Sequence, residues 1–214
     1  MDLSNPLTIV LIILSVIIAV VGHEIMHGYI AYKNGDLTAK NSGRLSINPI
    51  VHIDLVGTII VPIVLYLSSG FMFGWAKPVP VRMGIVIRNG GYLGAIKVSL
   101  AGIAYNFALA FVASIFFHLT KGQNIELYQI LNQFFFHLIV INVILGVFNL
   151  YPIPPLDGSW ALGYLGALLG TGAILNFFEK IRRYGFVLLI LIFLTPLSSI
   201  IFTPISYIVR LFLH

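Results

Sequence analysis

The sequence predicts an all-α polytopic membrane protein. The expected form is a helical bundle with a three-helix core, a re-entrant segment and a short membrane-associated β-hairpin, in a single domain over residues 1–214. Three observations carry this. Hydrophobic residues make up 59% of the chain, charged residues only 9%, and the mean hydropathy is +1.01, which excludes a soluble domain with one buried core. Several uncharged runs are long enough to cross a bilayer at about 1.5 Å per residue of helix. No internal repeat is evident, and no loop is long enough to hold a separate domain.

There are no cysteines, so disulfides and thiolate metal ligands are excluded. Any metal must take His, carboxylate or amide ligands. The formal charge of +5 comes from basic residues spread over loops rather than clustered in one tract. That distribution fits membrane topology and not nucleic-acid binding.

The first apolar run extends from Leu7 to Gly22 and resumes from Gly28 to Tyr32. It has no basic residue before it and no small-residue cleavage site, so it reads as a retained helix and not a cleaved signal peptide. Near its end lie His23, Glu24 and His27. Glu24 is nine residues before Lys33, which places it roughly 13 Å inside the helix end. An ionisable residue at such depth is expensive and marks function. His23 and His27 stand one turn apart on one helix face, so both imidazoles can reach one metal ion. Glu24 follows the first of them and can act as a general base. The pattern predicts a catalytic zinc site within the bilayer.

Beyond Lys33, Ser42–Asn48 alternates polar and apolar residues between the turn signals Asn34-Gly35 and Asn48-Pro49, which predicts strand. An irregular polar loop explains the pattern equally well. Leu55–Ala76 is apolar and long enough to cross, but Pro62 and Ser68-Ser69-Gly70 interrupt it, so a re-entrant element is expected. Residues 73–88, with Pro78 and Pro80, read as extended. Val98–Thr120 and Leu127–Leu150 are joined by a short connection and form an antiparallel helix pair. Gly158–Phe178 is uncharged but rich in glycine, and Tyr184–Val209 is a last apolar stretch expected to cross.

A catalytic zinc usually has three protein ligands and an open position. Pro152, Pro154 and Pro155 must break the preceding helix just before Asp157. Non-helical backbone at membrane depth persists only inside protein or beside a watery cavity, so Asp157 is the best third ligand. Capping of the helix from Gly158 is its structural alternative. Asp54 is the rival ligand.

His23-Glu24-x-x-His27 together with Asn149-x-x-Pro152-x-Pro154-x-x-Asp157-Gly158 resembles the site-2 protease family of intramembrane zinc metalloproteases. Gly102-x-x-x-Asn106, the stretch from Asn48-Pro49 to Gly57-Thr58, and Gly74-Trp75-Ala76-Lys77-Pro78-Val79-Pro80-Val81 extend the likeness to its compact bacterial members, which lack a PDZ domain. The resemblance implies one Zn2+ per chain on His23, His27 and Asp157, with Glu24 as general base. It implies that Asn149 lines the site near the scissile carbonyl, and that Asn106 and Gly102 help hold the substrate. Its substrates would be membrane proteins with an unwindable transmembrane segment, cut by regulated intramembrane proteolysis in the bacterial plasma (inner) membrane. Control of access would have to come from elsewhere, such as a regulatory partner, because no PDZ-like or other regulatory domain is inserted.

An unwound substrate could add to a strand edge at Gly43–Asn48, with Leu45 and Ile47 at its centre. His118 and His214 read as interfacial residues. His137 and Asn142 read as helix-to-helix hydrogen-bonding groups, Asn142 with a further chance of supporting the site. His52 and Asp54 are more readily structural than catalytic. A membrane metal-ion transporter using His23, His27 and Asp157 as a transit site is the alternative function. Basic residues concentrate between Lys33 and Lys97 and at Lys180, Arg182 and Arg183, which places those loops, and the active site, on the cytosolic side.

Overall fold

The computed structural model describes residues 5–69, 74–193 and 195–214. Helix α1 spans Pro6–Lys33. Asn5 caps it by accepting from the Leu7 N–H at 2.9 Å, and Pro6 follows at the position where a missing N–H costs nothing. The helix ends at Asn34, whose side-chain amide donates to Ile30 O at 2.8 Å.

A single helical turn, α2 (Thr38–Asn41), comes next, and the expected β-hairpin does not form. Among the described residues there is no strand. Alternation over so few residues is overridden by tertiary bonds. The buried Arg44 guanidinium donates to Lys77 O at 2.6 Å, and the buried His52 Nε2 bonds Ser46 O at 2.9 Å. Each end of the segment is thereby tied to a different neighbour rather than to a partner strand.

The next apolar stretch begins with a π-helical turn (Leu55–Ile60) that continues as α3 (Val61–Ser69). Its two ends meet. The Trp75 N–H donates to Gly57 O at 3.0 Å, Thr58 Oγ1 to Trp75 O at 2.9 Å, and the Lys77 N–H to His52 O at 2.9 Å. A segment whose entry and exit are bonded to each other has both ends on one side, as the re-entrant reading expects. Gly70 of the expected break lies outside the described residues. The extended reading of 73–88 holds from Gly74 to Arg82, where Pro78 and Pro80 exclude helix, and fails at Met83, where α4 begins.

Helix α4 (Met83–Thr120) breaks at Gly91, with φ 62° and ψ −168°, a conformation only glycine adopts readily. The break separates a short leading helix from the spanning part. Helix α5 (Glu126–Leu150) returns antiparallel, and the α4–α5 pair is the most extensive packing in the molecule. Ala110, Ala113 and Phe117 of α4 meet Leu138, Ile139, Val143 and Val147 of α5 in the main core. Helix α1 packs on both. Among the described residues these three are the single helices long and apolar enough to cross a membrane, and a bent pair at the C-terminal end could make a fourth span.

Helix α6 (Asp157–Leu168) lies against α4, and α7 (Ala173–Ile181) against α6. The last expected span divides into α8 (Gly185–Phe193) and α9 (Leu197–Leu213), bent by 83°. Pro196 starts α9 and cannot donate back into α8, so one straight helix is not available there. Ile205 of α9 joins the α4–α5 core.

Candidate metal centre

Helical periodicity puts His23 and His27 on the face of α1 that meets α4. There each imidazole finds an acceptor for its Nδ1. His27 Nδ1 lies 2.7 Å from Val98 O, and His23 Nδ1 lies 2.6 Å from Asn106 Oδ1. A backbone carbonyl only accepts, so His27 Nδ1 must carry the proton. Asn106 donates from its amide nitrogen to Asn142 Oδ1 at 2.8 Å and to Ala19 O at 3.3 Å. Its oxygen is therefore the end facing His23, and His23 Nδ1 is also the N–H. In a neutral imidazole that leaves each Nε2 as a lone pair.

Both lone pairs point at Asp157, the first residue of α6. His23 Nε2 and His27 Nε2 are 3.0 Å apart, and each is 3.1 Å from Asp157 Oδ2. Asp157 Oδ2 is buried and receives no hydrogen bond. Three electron-rich atoms facing one another in a buried site repel unless a cation lies between them. Ligands about 2.0–2.1 Å from a tetrahedral zinc stand roughly 3.3 Å from each other, close to the triangle found here. Two imidazoles and a carboxylate form one of the donor sets of catalytic zinc. His23, His27 and Asp157 thus fit the metal, and they are the group of this kind among the described residues.

Gly102 makes the approach feasible. A Cβ there would lie 2.5 Å from His23 Cε1, His23 Nε2 and His27 Nε2, so any larger residue would push both imidazoles off the site. Gly102 and Asn106, one turn apart on α4, therefore face the histidines. Both were expected to help hold substrate, and the contacts they make are with the histidines. Asn106 is fully buried, and both ends of its amide are already engaged.

Glu24 lies beside the triad and does not join it. Its Oε2 accepts the Val79 N–H at 2.9 Å, from the extended strap of residues 74–82. Asp54 is no ligand either. It caps the π-helical turn, its Oδ1 accepting from the Gly57 N–H at 2.6 Å and its own N–H donating to Thr58 Oγ1 at 3.0 Å. Asn149, at the end of α5, donates from its amide to Leu145 O at 3.1 Å. Leu45 rests on α1 at Gly28, and Ile47 is 87% exposed.

Sequence reasoning missed the Val79 N–H and Val98 O, because backbone groups carry no residue signature. It also missed Asp36. This residue is wholly buried where the chain leaves α1, accepting from the Thr38 N–H (3.0 Å), Thr38 Oγ1 (2.5 Å) and the Arg82 N–H (2.6 Å). Burial alone would raise its pKa. The hydrogen bonds from Thr38 and Arg82, with the nearby Arg82 charge, hold it below the ordinary carboxylate range instead.

A membrane-embedded helical protein with two imidazoles, a carboxylate and an adjacent glutamate is by its parts a metallohydrolase of the zinc-peptidase class. Peptidase family M50 matches residues 117–193 of the chain. The chain is also 37% identical over 197 residues to a Bacillus subtilis (strain 168) protein described as "Putative zinc metalloprotease YwhC", covering 90% of this chain and 84% of that protein. No solved structure matches. The chain belongs to peptidase family M50, the site-2 protease family, and is an integral membrane zinc metalloprotease.

Proposed function

We propose that this single domain, residues 1–214, cuts peptide bonds in or near the transmembrane segments of other membrane proteins, as a step of regulated intramembrane proteolysis. One observation carries the reading: the ligand triangle sits within the bundle of spanning helices, with His23 ten residues, roughly 15 Å, inside the Lys33 end of α1. A hydrolytic centre at that depth is of use only on a substrate that is itself in the membrane.

His23, His27 and Asp157 would hold the ion, and zinc there would supply Lewis-acid polarisation of water and carbonyl. The protein's own groups do the rest. Glu24 takes a proton on its carboxylate from the attacking water and returns it to the departing amine nitrogen. The Val79 N–H holds one oxygen of that carboxylate by a hydrogen bond of 2.9 Å. The Asn149 amide donates toward the scissile carbonyl as charge develops there. The substrate helix must first unwind, at several kcal/mol for each backbone group left unpaired in lipid. Leu45, resting on α1 at Gly28, and the exposed Ile47 give the unwound segment an apolar resting place. A partner protein controls its entry.

The test compares membrane-protein fragments in cells carrying the wild type with those in cells carrying Glu24→Gln. New termini should fall within or beside transmembrane segments and vanish in the variant. Termini confined to soluble segments would overturn the reading. The positive loops support an active site facing the cytosol of a bacterial plasma membrane. Single cysteines at Ser42, Lys77, Gln123 and Arg183 check this, because an impermeant thiol reagent applied outside should reach only position 123.

A further inference from the structure

Behind the metal centre, polar side chains continue one step further than the ligands require. Asn142 lies in the middle of α5, fully buried, between helices whose other contacts there are apolar. Its amide donates to Leu138 O at 2.8 Å, and its Oδ1 accepts from Asn106 at 2.8 Å. Both ends are thus committed, and their direction is forced. Were the Asn142 amide turned over, its nitrogen would face the Asn106 nitrogen and its oxygen would face Leu138 O. Two buried hydrogen bonds would become two repulsions.

The forced direction passes on. With Asn142 Oδ1 accepting, Asn106 must present its nitrogen to α5 and its oxygen to His23. His23 must then donate from Nδ1 and keep Nε2 as the lone pair aimed at the metal. Ala19 O also favours this setting of Asn106, but at 3.3 Å it is the longer contact. From this relay we infer that Asn142, which touches neither metal nor substrate, is a positioning residue that sets the tautomer of the ligand His23 through Asn106. It also links the three spanning helices α1, α4 and α5 at the level of the site. The inference rests on the zinc reading and adds a residue to it.

Two substitutions separate positioning from packing. Asn142→Leu keeps the shape and removes the acceptor. In Asn142→Asp the carboxylic acid, protonated in this apolar interior, still accepts from Asn106 and still donates to Leu138 O. Packing alone predicts that Leu is tolerated better than Asp, and positioning predicts the reverse. Zinc affinity is measured by chelator competition on detergent-solubilised protein, alongside the thermal stability of the zinc-free form.

Asn142→Leu should bind zinc about tenfold more weakly, at the lower end of what outer partners of a metal ligand contribute. Asn142→Asp should stay within about threefold of wild type. In an Asn106→Asp background the acid, ionised beside the N–H of a zinc-bound His23, can only accept, so adding Asn142→Leu should change affinity by less than about twofold. Equal affinities for Asn142→Leu and wild type, or a Leu variant better than the Asp variant, would overturn the role of Asn142. A wild type that takes up no zinc would instead overturn the reading on which it rests. If Asn142→Leu does not fold, the Asp variant still decides, since a tenfold loss in Asn142→Asp contradicts the relay.

Discussion

Two carboxylates with buried oxygens in this protein have opposite surroundings. Asp36, at the foot of α1, is surrounded by donors: the Thr38 N–H and hydroxyl on one oxygen and the Arg82 N–H on the other. Asp157 turns its Oδ2 toward two imidazole nitrogens that have no proton to offer. The first arrangement is complete without any further atom and works as a clasp between the end of α1 and the start of α4. The second is complete only with a cation. Burial does not distinguish a structural acid from a functional one. The polarity of the atoms facing it does.

The largest effects should fall on the incomplete site. His23→Ala, His27→Ala or Asp157→Ala should each weaken zinc binding by more than the roughly 10–100-fold typical of outer-shell partners, read by chelator competition. Glu24→Gln should keep zinc and abolish cleavage. If zinc were lost there, Glu24 would be a ligand and the triangle wrongly drawn. The comparison is sharpest in the zinc-free protein. Asp157→Asn should leave its stability unchanged or raise it, because an unpaired buried acceptor is removed.

Gly102→Ala comes next. The added methyl group has no room beside the imidazoles, so zinc binding should weaken, and overpacking should cost about 1–3 kcal/mol of stability by thermal denaturation. Wild-type zinc affinity in that variant would mean the imidazoles have space to move.

Asp36→Asn should show the converse pattern, with zinc affinity retained and about 1–3 kcal/mol of stability lost at neutral pH, because an amide NH2 replaces an acceptor facing donors. The sign with pH follows from its lowered pKa. An acid whose folded pKa lies below its unfolded value, about 3.9, adds stability that is whole above that value. That stability disappears as the pH falls through the folded pKa. Wild type should therefore lose stability on acidification over that range more steeply than Asp36→Asn. Parallel curves would remove Asp36 from the account. The smallest expected effect on the fold is that of Ile47→Asp, within about 0.5 kcal/mol at an exposed position. Cleavage of a membrane substrate should nonetheless fall, and unchanged cleavage would free Ile47 of any substrate role.

Much of this was legible in the residues. Charge-free runs fixed three spanning helices because lipid offers no partner to an unpaired backbone. The spacing of His23 and His27 fixed a shared helix face, and the absence of cysteine limited the donors. Asp157 emerged from the prolines before it and from the family likeness. The short alternation at Ser42–Asn48 misled, since period two over seven residues is weaker than the bonds Arg44 and His52 make to chain far away.

By itself, then, the sequence determined which segments enter the membrane and which side chains can bind a metal, since both depend on residue type and helical period. Tertiary structure alone decided what faces what. It set Asn106 and Gly102 against the histidines, placed the Val79 N–H on Glu24 and closed the clasp at Asp36. Hydrogen-bond direction and close approach are properties of pairs brought together by folding, and no single residue carries them along the chain.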